Sequence, residues 1–326
     1  MTPVRLHAAT PGDASTIHAL VRKSEIHDRE PLVTPFEEIV EMFDDPHLDK
    51  INDVRLVFID DRAVAWGRIW HHPSGERLER AYLVGTVDPD YRGQGIGRVL
   101  FAWQLDRARA VLESCDHDLP RFIRTSAWDW LTDAQHLYEH FGLRPVRWFD
   151  ELLRPLEPPL ETAGPAGVKL TSWRTDLIEE VRLLHNRAFA DHWGSGAVDP
   201  VSWAKRLTGY GTCLDLSVIA LAGDEVVGYS INEVHPENDE LLGRRDGWIG
   251  TLGVDRDYRG RGIASALIAA SMDHFRRAGL THASLGVDAD NPTGAHRLYY
   301  HLGFELEKRS VTHQLEWSET SSERAL

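Results

Sequence analysis

Long apolar runs and cysteines are what this sequence of 326 residues has least of. No apolar run approaches the ~20 residues of a membrane-spanning helix, and the first residues lack the apolar stretch of a signal peptide. The two cysteines, Cys115 and Cys213, form no CxxC pattern and no disulfide framework. These absences predict a cytoplasmic protein with no membrane partner.

Positive charge is also scarce, since 36 Lys and Arg residues stand against 51 Asp and Glu residues, a formal net charge of -15. No basic block counters this charge, which repels phosphate backbones, so nucleic acid is not an expected partner. An acidic surface instead favours a cationic small molecule such as an amine. The 42% apolar and 27% charged residues are close to globular averages, and the chain is long enough for two domains.

The chain contains an internal repeat. Each half opens with a short strand and a turn, at 4–13 and 168–176, followed by a helical pattern. Between the halves, residues 154–167 include four prolines and two glycines, which preclude a continuous helix or strand. We therefore predict an N-terminal domain at 1–153, a linker at 154–167, a second domain at 168–318 and a polar tail at 319–326.

The order of predicted elements in each half indicates the fold class. Each half reads as a strand, one or two helices, two or three consecutive strands, a glycine-rich turn with a helix, and a strand–helix–strand unit. Consecutive strands pair antiparallel, whereas crossover units place strands in parallel. The prediction is an α/β fold with two tandem domains, each a mixed, mainly antiparallel sheet with helices on both faces.

A glycine-rich turn occurs once in each half, after a strand and before a helix. The turns read Arg92-Gly-Gln-Gly-Ile-Gly97 and Arg259-Gly-Arg-Gly-Ile-Ala264. Exposed N–H groups and the helix dipole attract anions, and glycines let a phosphate approach the main chain, so a pyrophosphate is the expected ligand. No Gly-Lys-Ser/Thr follows, which excludes a Walker loop, and Arg98 and Ser265 at the third glycine position exclude a dinucleotide fingerprint.

Both turns resemble the coenzyme A turn of the GNAT N-acetyltransferase family, whose pattern is Arg/Gln-x-x-Gly-x-Gly/Ala after a strand ending in Val-Asp. The stretch from Asn291 to Phe304 resembles the final motif of this family, an asparagine followed by Leu-Tyr-x-x-Leu-Gly-Phe. The tandem layout is similar to that of mycothiol synthases and other actinobacterial double-GNAT proteins. The resemblance covers nearly the whole chain, twice, and implies acetyl-CoA as co-substrate.

The resemblance also implies roles for particular residues. The pantetheine arm is expected to pair with the segment Leu252–Val254 beside a bulge, where a main-chain N–H stabilises the oxyanion. Tyr299 is expected to protonate the departing thiolate, because its pKa of ~10 lies above the ~8.5 of a thiol; the alternative is a core aromatic. The predicted cofactor-binding residues are Leu252, Gly253, Val254, Arg259, Gly260, Arg261, Gly262, Ile263, Ala264, Ser265 and Asn291, with Val87, Arg92, Gly93, Gln94, Gly95, Ile96, Gly97 and Arg98 in the first half.

The general base is harder to assign. An alkyl amine with a pKa of ~10.4 is almost fully protonated at pH 7, so a base or desolvation is required. The glutamate that mycothiol synthases hold in the strand before the turn lines up with Trp248. Glu233 is our first candidate for the base, with Asp246 and His235 as alternatives, although each is as easily a solvated surface group.

The two halves differ in the final motif. No asparagine precedes Tyr138 at the family spacing, and Asp133 is the nearest polar substitute. The second half is therefore expected to carry the chemistry, while the first binds coenzyme A or supports the fold. We predict an N-acetyltransferase that moves an acetyl group from acetyl-CoA to a primary amine of a small molecule. The alternatives are a protein or peptide acetyltransferase and a coenzyme A-binding regulator without turnover, and either a monomer or a homodimer is expected.

One pattern typical of a zinc protease also occurs. His136-Leu-Tyr-Glu139-His140 spells HxxEH, which would place two imidazoles on one helical face. The pattern lies inside a repeated Leu-Tyr block, and the second copy, Leu-Tyr-Tyr-His, lacks it. A zinc site also needs a third ligand. We therefore expect no metal.

Overall fold

The computed structural model describes residues 4–71, 73, 78–116, 118–190, 196–290 and 294–317. The chain divides into two compact units. Unit 1 comprises the described residues within Met1–Arg147 and Ser310–Leu326, and unit 2 comprises those within Trp148–Arg309.

The described helices and strands follow the same order in both halves of the chain, except for one short additional helix between the third and fourth strands of the second half. The first half contains β1 (Val4–Ala8), α1 (Ala14–Asp28), α2 (Phe36–Phe43), β2 (Val54–Ile59), β3 (Arg62–His71), β4 (Glu79–Val87), α3 (Ile96–Glu113), β5 (Arg121–Trp128), α4 (Thr132–His140) and β6 (Arg144–Pro155). The second half contains β7 (Lys169–Ser172), α5 (Ile178–Ala188), α6 (Pro200–Thr208), β8 (Val218–Ala222), β9 (Glu225–Val234), α7 (Asp239–Leu242), β10 (Asp246–Val254), α8 (Ile263–Arg277), β11 (His282–Asp288), α9 (Ala295–His301) and β12 (Glu305–Trp317).

Each unit contains one mixed sheet. The strand order is β1-β2-β3-β4-β5-β12 in unit 1 and β7-β8-β9-β10-β11-β6 in unit 2. The pairs β4/β5 and β10/β11 are parallel, and the other pairs within these two sheets are antiparallel. The predicted class, a mixed and mainly antiparallel sheet in each of two similar domains, is confirmed.

Helices cover both faces of each sheet because adjacent strand residues point in opposite directions. In unit 1, Leu56 packs with α1 and α2 while its neighbour Val57 packs with α3. In unit 2, Ile219 packs with α5 and α6 while its neighbour Ala220 packs with α8. The apolar residues on successive strand positions thus build two cores per unit, one on each side of the sheet.

The last strand of each half lies in the sheet of the other unit. Strand β12 pairs with β5 from Ser310 to Trp317, and β6 pairs with β11 from Phe149 to Pro155. The units therefore differ from the predicted domains 1–153 and 168–318 at these two strands. A sequence repeat identifies the strands but not the sheet that completes them, because pairing depends on which sheet edge offers unpaired main-chain groups.

The predicted linker packs against unit 2. Strand β6 ends at Pro155, and the following residues form no helix or strand up to β7. The N–H of Leu156 donates to the carbonyl oxygen of Thr281 at 2.9 Å, and Leu156 and Leu160 contact the apolar core of unit 2. Separately, none of the described helices is long and apolar enough to span a bilayer.

Candidate functional site

Strands β10 and β11 of unit 2 diverge part-way along their length. They pair in parallel from Asp246 to Ile249, although both strands continue beyond these residues. Against β9, the register of β10 shifts between Ile249 and Thr251, so Gly250 is the extra residue of a β-bulge. Beyond the bulge, the edge of β10 that faces β11 is left without a paired strand in the described part of the sheet.

The segment expected to receive the pantetheine arm lies on this edge. Leu252, Gly253 and Val254 pair with β9 on one side, so their other side offers main-chain groups to an extended ligand. Gly253 has no room for a side chain, because an added Cβ would lie 2.5 Å from Cε1 of Tyr229. A 2.6 Å hydrogen bond joins the Tyr229 hydroxyl to Nδ1 of His185, which fixes the ring. The main chain here is therefore positioned before any ligand binds.

The second glycine turn joins β10 to α8. Gly260 and Gly262 have φ angles of 73° and 78°, in the left-handed region that other residues avoid. A Cβ added to either would meet no atom within 4 Å, so the main chain faces open space. No side chain caps α8, which begins at Ile263, so the N–H groups near Ala264 and Ser265 and the helix dipole are available to an anion.

The two arginines of this turn contact the protein itself. Arg259 donates to the carbonyl oxygens of Val254 at 3.3 Å and Ala188 at 2.9 Å, which ties the turn to the ends of β10 and α5. The guanidinium carbon of Arg261 lies 4.9 Å from the centre of the Tyr258 ring, a cation–π contact. The main chain, rather than these side chains, is thus the part of the turn that is open to an anion.

The first turn has the same main-chain geometry in unit 1. Gly93 and Gly95 have φ angles of 75° and 86°, and α3 begins at Ile96 without a side-chain cap. The other residues predicted for this site lie around these glycines: Val87, Gln94, Gly97 and Arg98. Strands β4 and β5 also separate after Tyr82, but the register of β4 against β3 runs without a bulge.

Arg92 attaches the first turn to α1 through hydrogen bonds to the carboxylate of Asp28. Its guanidinium donates to both carboxylate oxygens of Asp28 at 2.6 and 2.7 Å and to the Ser24 hydroxyl at 2.7 Å, while Nε donates to the Val87 carbonyl. Burial alone would raise the pKa of Asp28, but Arg92 and other hydrogen-bond donors hold it below its usual value. Arg92 is therefore engaged within unit 1, as Arg259 is within unit 2.

Tyr299 lies on α9 in the core of unit 2. Only 9% of its surface is exposed, and it belongs to the apolar cluster that contains Ile249 and contacts Leu252. Burial raises its pKa to about 12, and its hydroxyl has no hydrogen-bond partner among the described residues. The structure thus brings Tyr299 into the same cluster as the diverging strand. Asn291, the asparagine of the same motif, lies outside the described residues.

Glu233 lies directly over the bulge. It pairs across the sheet with Trp248, and a Cβ on Gly250 would come within 2.2 Å of Oε1 of Glu233. The carboxylate therefore occupies space that any other residue at position 250 would fill. This places the first candidate base at the point where β10 and β11 diverge.

His235 connects Glu233 to a second carboxylate. Its Nε2 lies 3.3 Å from Oε2 of Glu233, and its Nδ1 lies 3.3 Å from Oε1 of Glu237. The hydrogen bond to Glu233 is the main cause that raises the pKa of His235. Tyr210 donates to Glu237 at 3.0 Å. A Cβ on Gly211 would lie 2.4 Å from the His235 ring, so the imidazole is packed tightly against the main chain.

Asp246, the third candidate base, lies elsewhere. Both of its carboxylate oxygens accept from Nε of Arg244 at 2.9 and 3.0 Å, at the start of β10 where the sheet is still paired. Sequence reasoning missed Glu237 and Tyr210. The signal for Glu237 was present as two glutamates placed symmetrically about His235, whereas Tyr210 is adjacent only in the fold.

Tyr82 of unit 1 corresponds to Trp248 of unit 2. Leu83 lies in a core cluster with α3, and Ile249 lies in a core cluster with α8. Because strand residues alternate, the preceding residues, Tyr82 and Trp248, face the opposite side of each sheet. The two positions can therefore be compared directly.

Unit 1 has an aromatic and cationic surface where unit 2 has Glu233. Tyr82 pairs across the sheet with Trp70, and the two rings are 5.3 Å apart. The guanidinium carbons of Arg68 and Arg80 lie 5.9 Å from the Trp70 ring and 5.8 Å from the Tyr82 ring. Arg124 pairs with Tyr82 in the register of β5. This surface carries guanidinium groups where unit 2 carries carboxylates.

Tyr138, the counterpart of Tyr299, is built into the core of unit 1. Its ring stacks on Phe101 with centroids 5.3 Å apart and meets His313 edge-on at 5.4 Å. Burial raises the pKa of Tyr138, and a hydrogen bond with Thr125 partly opposes this shift. Asp133, in the first turn of the same helix, is exposed.

The residues of the HxxEH pattern lie on the surface. His136, Glu139 and His140 are all exposed on α4. The edge of the His140 ring contacts Phe141, with centroids 5.3 Å apart. The helix presents these side chains to solvent rather than to a closed site.

Comparison with known proteins agrees with this geometry. Residues 178–304 match the model of the acetyltransferase (GNAT) family, and residues 52–144 match that of the acetyltransferase (GNAT) domain. A mycothiol acetyltransferase of Thermobispora bispora is 33% identical over 242 residues, which cover 71% of this chain and 72% of the relative. One from Geodermatophilus obscurus is also 33% identical, over 240 residues that cover 71% of this chain and 72% of that relative.

A solved structure is similar to this chain over nearly its whole length. A GCN5-related N-acetyltransferase from Sphaerobacter thermophilus has a TM-score of 0.76 and 25% identity, and the match covers 97% of each chain. Acetyltransferases of this family take the acetyl group from acetyl-CoA, for which a pyrophosphate turn and a cleft between diverging strands are suited. Both features are present here, and the chain belongs to the GNAT acetyltransferase family, as an N-acetyltransferase with two tandem GNAT domains.

Proposed function

We propose that unit 2 transfers the acetyl group of acetyl-CoA to a primary amine of a small molecule. The observation that carries the proposal is the meeting of four features in one unit: the glycine turn, the bulge at Gly250, the buried Tyr299 and the Glu233–His235–Glu237 cluster. Unit 1 has the turn but carries arginines and Trp70 where unit 2 carries Glu233.

Acetyl-CoA would bind mainly through the main chain of unit 2. The N–H groups after Gly262 and the dipole of α8 attract the pyrophosphate. The pantetheine arm would pair with the open edge of Leu252–Val254 like an added strand. A main-chain N–H of this segment would donate to the oxyanion that forms on the thioester carbonyl.

Glu233 would remove the proton of the acceptor. An alkyl ammonium with a pKa of ~10.4 must lose a proton before its nitrogen can attack the thioester carbon. The carboxylate at the bulge is the proton acceptor that lies nearest to the divergence of the strands. Together with Glu237, it would also attract a cationic amine, whereas the guanidinium groups near Trp70 in unit 1 would repel one.

Tyr299 would complete the reaction as a proton donor. When the C–N bond forms and the C–S bond breaks, the thiolate of coenzyme A takes up a proton. The Tyr299 hydroxyl is protonated at neutral pH and can therefore donate, and its raised pKa makes it a weaker acid than an ordinary tyrosine. The ammonium loses two protons in all: one passes to Glu233 before attack, and the second leaves the nitrogen of the tetrahedral intermediate to water. The thiolate takes its proton from Tyr299, and solvent exchange then deprotonates Glu233 and reprotonates Tyr299.

The relatives named mycothiol acetyltransferase support a small-molecule acceptor. Trp248 stands where, by resemblance, mycothiol synthases hold a glutamate, and Glu233 is its cross-strand partner. A carboxylate is thus available on the neighbouring strand. With the base on β9 instead of β10, the acceptor amine would lie over β9 and Gly250 rather than over β10 alone. We therefore expect an acceptor that differs in shape from that of the mycothiol acetyltransferases.

The test is the release of free thiol from acetyl-CoA in the presence of single amines. The panel contains small primary amines, amino acids, aminoglycosides, thiol-bearing amino sugars and short peptides. We expect one small cationic amine class to give saturable, amine-dependent thiol release with a stoichiometric N-acetylated product by mass spectrometry. Preferential acetylation of peptides would replace the small-molecule acceptor, and no amine-dependent release at all would contradict catalysis.

A further inference from the structure

Three side chains of unit 1 meet at the end of the sheet farthest from the glycine turn. His71 ends β3, Glu79 begins β4, and Cys115 follows α3. Nε2 of His71 lies 3.0 Å from Oε2 of Glu79 and 3.8 Å from Sγ of Cys115. The Glu79 side chain is fully buried and that of His71 is 11% exposed. This His–Glu–Cys cluster is unrelated to the HxxEH pattern on α4.

The geometry of the cluster does not fit a nucleophilic cysteine. In a Cys–His–acid triad the histidine uses one nitrogen for the cysteine and the other for the carboxylate. Here both Cys115 and Glu79 approach the same nitrogen, Nε2 of His71, so the imidazole has no separate nitrogen with which to relay a proton between them. Burial also raises the pKa of the Cys115 thiol, which makes it a poorer nucleophile at neutral pH.

Convergence of three donor atoms on one point is what a metal ion requires. The three atoms lie within 4.8 Å of one another. With Zn–S of ~2.3 Å and Zn–N or Zn–O of ~2.0 Å, tetrahedral ligands are separated by about 3.5 Å for S and N and about 3.3 Å for N and O. The observed distances of 3.8 and 3.0 Å are close to these values.

We propose that Nε2 of His71, the carboxylate of Glu79 and Sγ of Cys115 bind one zinc ion. A thiolate, an imidazole and a carboxylate form a ligand set that suits zinc, whereas magnesium and calcium select oxygen ligands alone. On binding, the Cys115 thiol releases its proton to solvent. Three protein ligands leave a fourth tetrahedral position for water or another donor.

The position of the site points to a structural role. The ion would fasten the end of β3 to the start of β4 and to the chain after α3, three segments separated in sequence. Glu79 and Val87 lie at opposite ends of β4, roughly 26 Å apart at 3.3 Å per residue, and the glycine turn lies beyond Val87. Glu79 also lies on the face of β4 that packs against α3, since Ala81 and Leu83 do so. We expect zinc to stabilise unit 1 without entering acetyl transfer.

The test is metal binding by the full-length protein with its thiols kept reduced. Metal is removed with a chelator, and zinc or cobalt(II) is added back in steps. We expect one equivalent of zinc per chain, thiolate-to-cobalt charge-transfer absorption, and a Tm about 5 °C higher at saturating zinc. Cys115→Ser and His71→Ala should each lower the zinc affinity at least about tenfold, and Cys115→Ser should remove the charge-transfer band.

Two control variants separate this cluster from other ligands of the chain. Cys213→Ser removes the other cysteine, and His136→Ala with His140→Ala removes the HxxEH pattern; both proteins should bind zinc like the wild type. The proposal is overturned if the metal-free wild-type protein takes up no zinc at one equivalent, or if the cobalt spectrum is unchanged by Cys115→Ser. The wild-type titration decides the matter even if a variant does not fold, which circular dichroism would reveal.

Discussion

The carboxylate of Glu233 occupies the volume that a side chain on Gly250 would fill. The position of this carboxylate therefore depends on the absence of a side chain at Gly250 in the neighbouring strand. His235 and Glu237 extend it into a hydrogen-bonded series that ends at Tyr210. The series is acidic overall and lies at the divergence of β10 and β11, which is the arrangement expected of a site that accepts a proton from a cation.

Glu233→Gln should lower kcat by about 10²- to 10⁴-fold, because the amide retains the shape of the side chain but cannot accept a proton. Acetyl-CoA binding, measured by calorimetry, should be unchanged. Glu240→Gln, an exposed glutamate on α7, is the matched control and should retain full activity. Unchanged kcat in the Glu233 variant would assign the base elsewhere.

Tyr299→Phe should lower kcat by about 10²-fold with acetyl-CoA still bound tightly, since only the proton donor to the thiolate is removed. Burial raises the pKa of Tyr299 to about 12, so its hydroxyl stays protonated as the pH rises through the normal range for tyrosine. The wild-type rate should therefore show no decline from this group below about pH 11. Tyr300→Phe, at the exposed neighbouring residue, serves as control, and full turnover by the Tyr299 variant would remove the role.

At the scale of elements, the site proposed for acetyl transfer in unit 2 lies at the junction of β10 with α8. One residue inserted at Gly250 shifts the register against β9 and coincides with the separation from β11. Two glycines with positive φ then bring the chain into the helix with its first N–H groups exposed. The junction in unit 1 shares the turn but has no bulge in β4, so the two units differ in the strand before the turn rather than in the turn itself.

Gly250→Ala should reduce kcat as strongly as the loss of the base, because the new Cβ would displace the Glu233 carboxylate from a position only 2.2 Å away. Gly164→Ala is the matched control, since nothing lies within 4 Å of a Cβ at that glycine and its φ is not positive. Thiol release and thermal unfolding would be measured for both. Normal kcat in the Gly250 variant would contradict the arrangement.

A matched pair of variants distinguishes the two turns. Gly262→Glu and Gly95→Glu each place a carboxylate at a positive-φ glycine, at the N-cap of α8 and of α3, where it competes with a pyrophosphate. We expect the first to abolish thiol release and the second to leave most of it. The assignment of chemistry to unit 2 fails if the outcomes are reversed.

Local patterns could be predicted from the sequence, whereas non-local ones could not. The turns at Arg92 and Arg259 were evident because glycine conformation and strand-to-helix transitions are encoded by neighbouring residues. The contact between Glu233 and Gly250 was not, because it depends on the register between two strands. Likewise, the proposed zinc ligands could not be predicted from the sequence. They span more than forty residues, from His71 through Glu79 to Cys115, and show no spacing typical of a metal site.

At the scale of the whole molecule, the repeat in the sequence and the units of the structure do not coincide. The described residues up to Arg147 form a unit with the described residues from Ser310 to Trp317, and those from Trp148 to Arg309 form the other. The linker of the sequence repeat is packed on unit 2 through Leu156 and Leu160. The chain is thus two similar domains by sequence, but its compact units have exchanged their final strands.

Separate expression of 1–167 and 168–326 tests this exchange. Each fragment lacks the strand that completes its sheet, β12 or β6, and an uncovered edge promotes association. We expect both fragments to be poorly folded or aggregated alone, by circular dichroism and size-exclusion chromatography, and to form a folded complex when expressed together. Two fragments that fold independently as monomers would show that the exchanged strands are dispensable.

The exchange of strands also determines the order in which the two units can fold during synthesis on the ribosome. The edge of β5 that pairs with β12, where Trp128 lies opposite Ser310, stays unpaired until β12 has been synthesised. Unit 1 therefore remains incomplete until nearly the whole chain has been made. Contacts between residues so distant in sequence form slowly and leave an open sheet edge in the meantime. The N-terminal unit, although synthesised first, is therefore expected to be the last to acquire protection from proteases, and its maturation should be sensitive to any pause in translation of the second half.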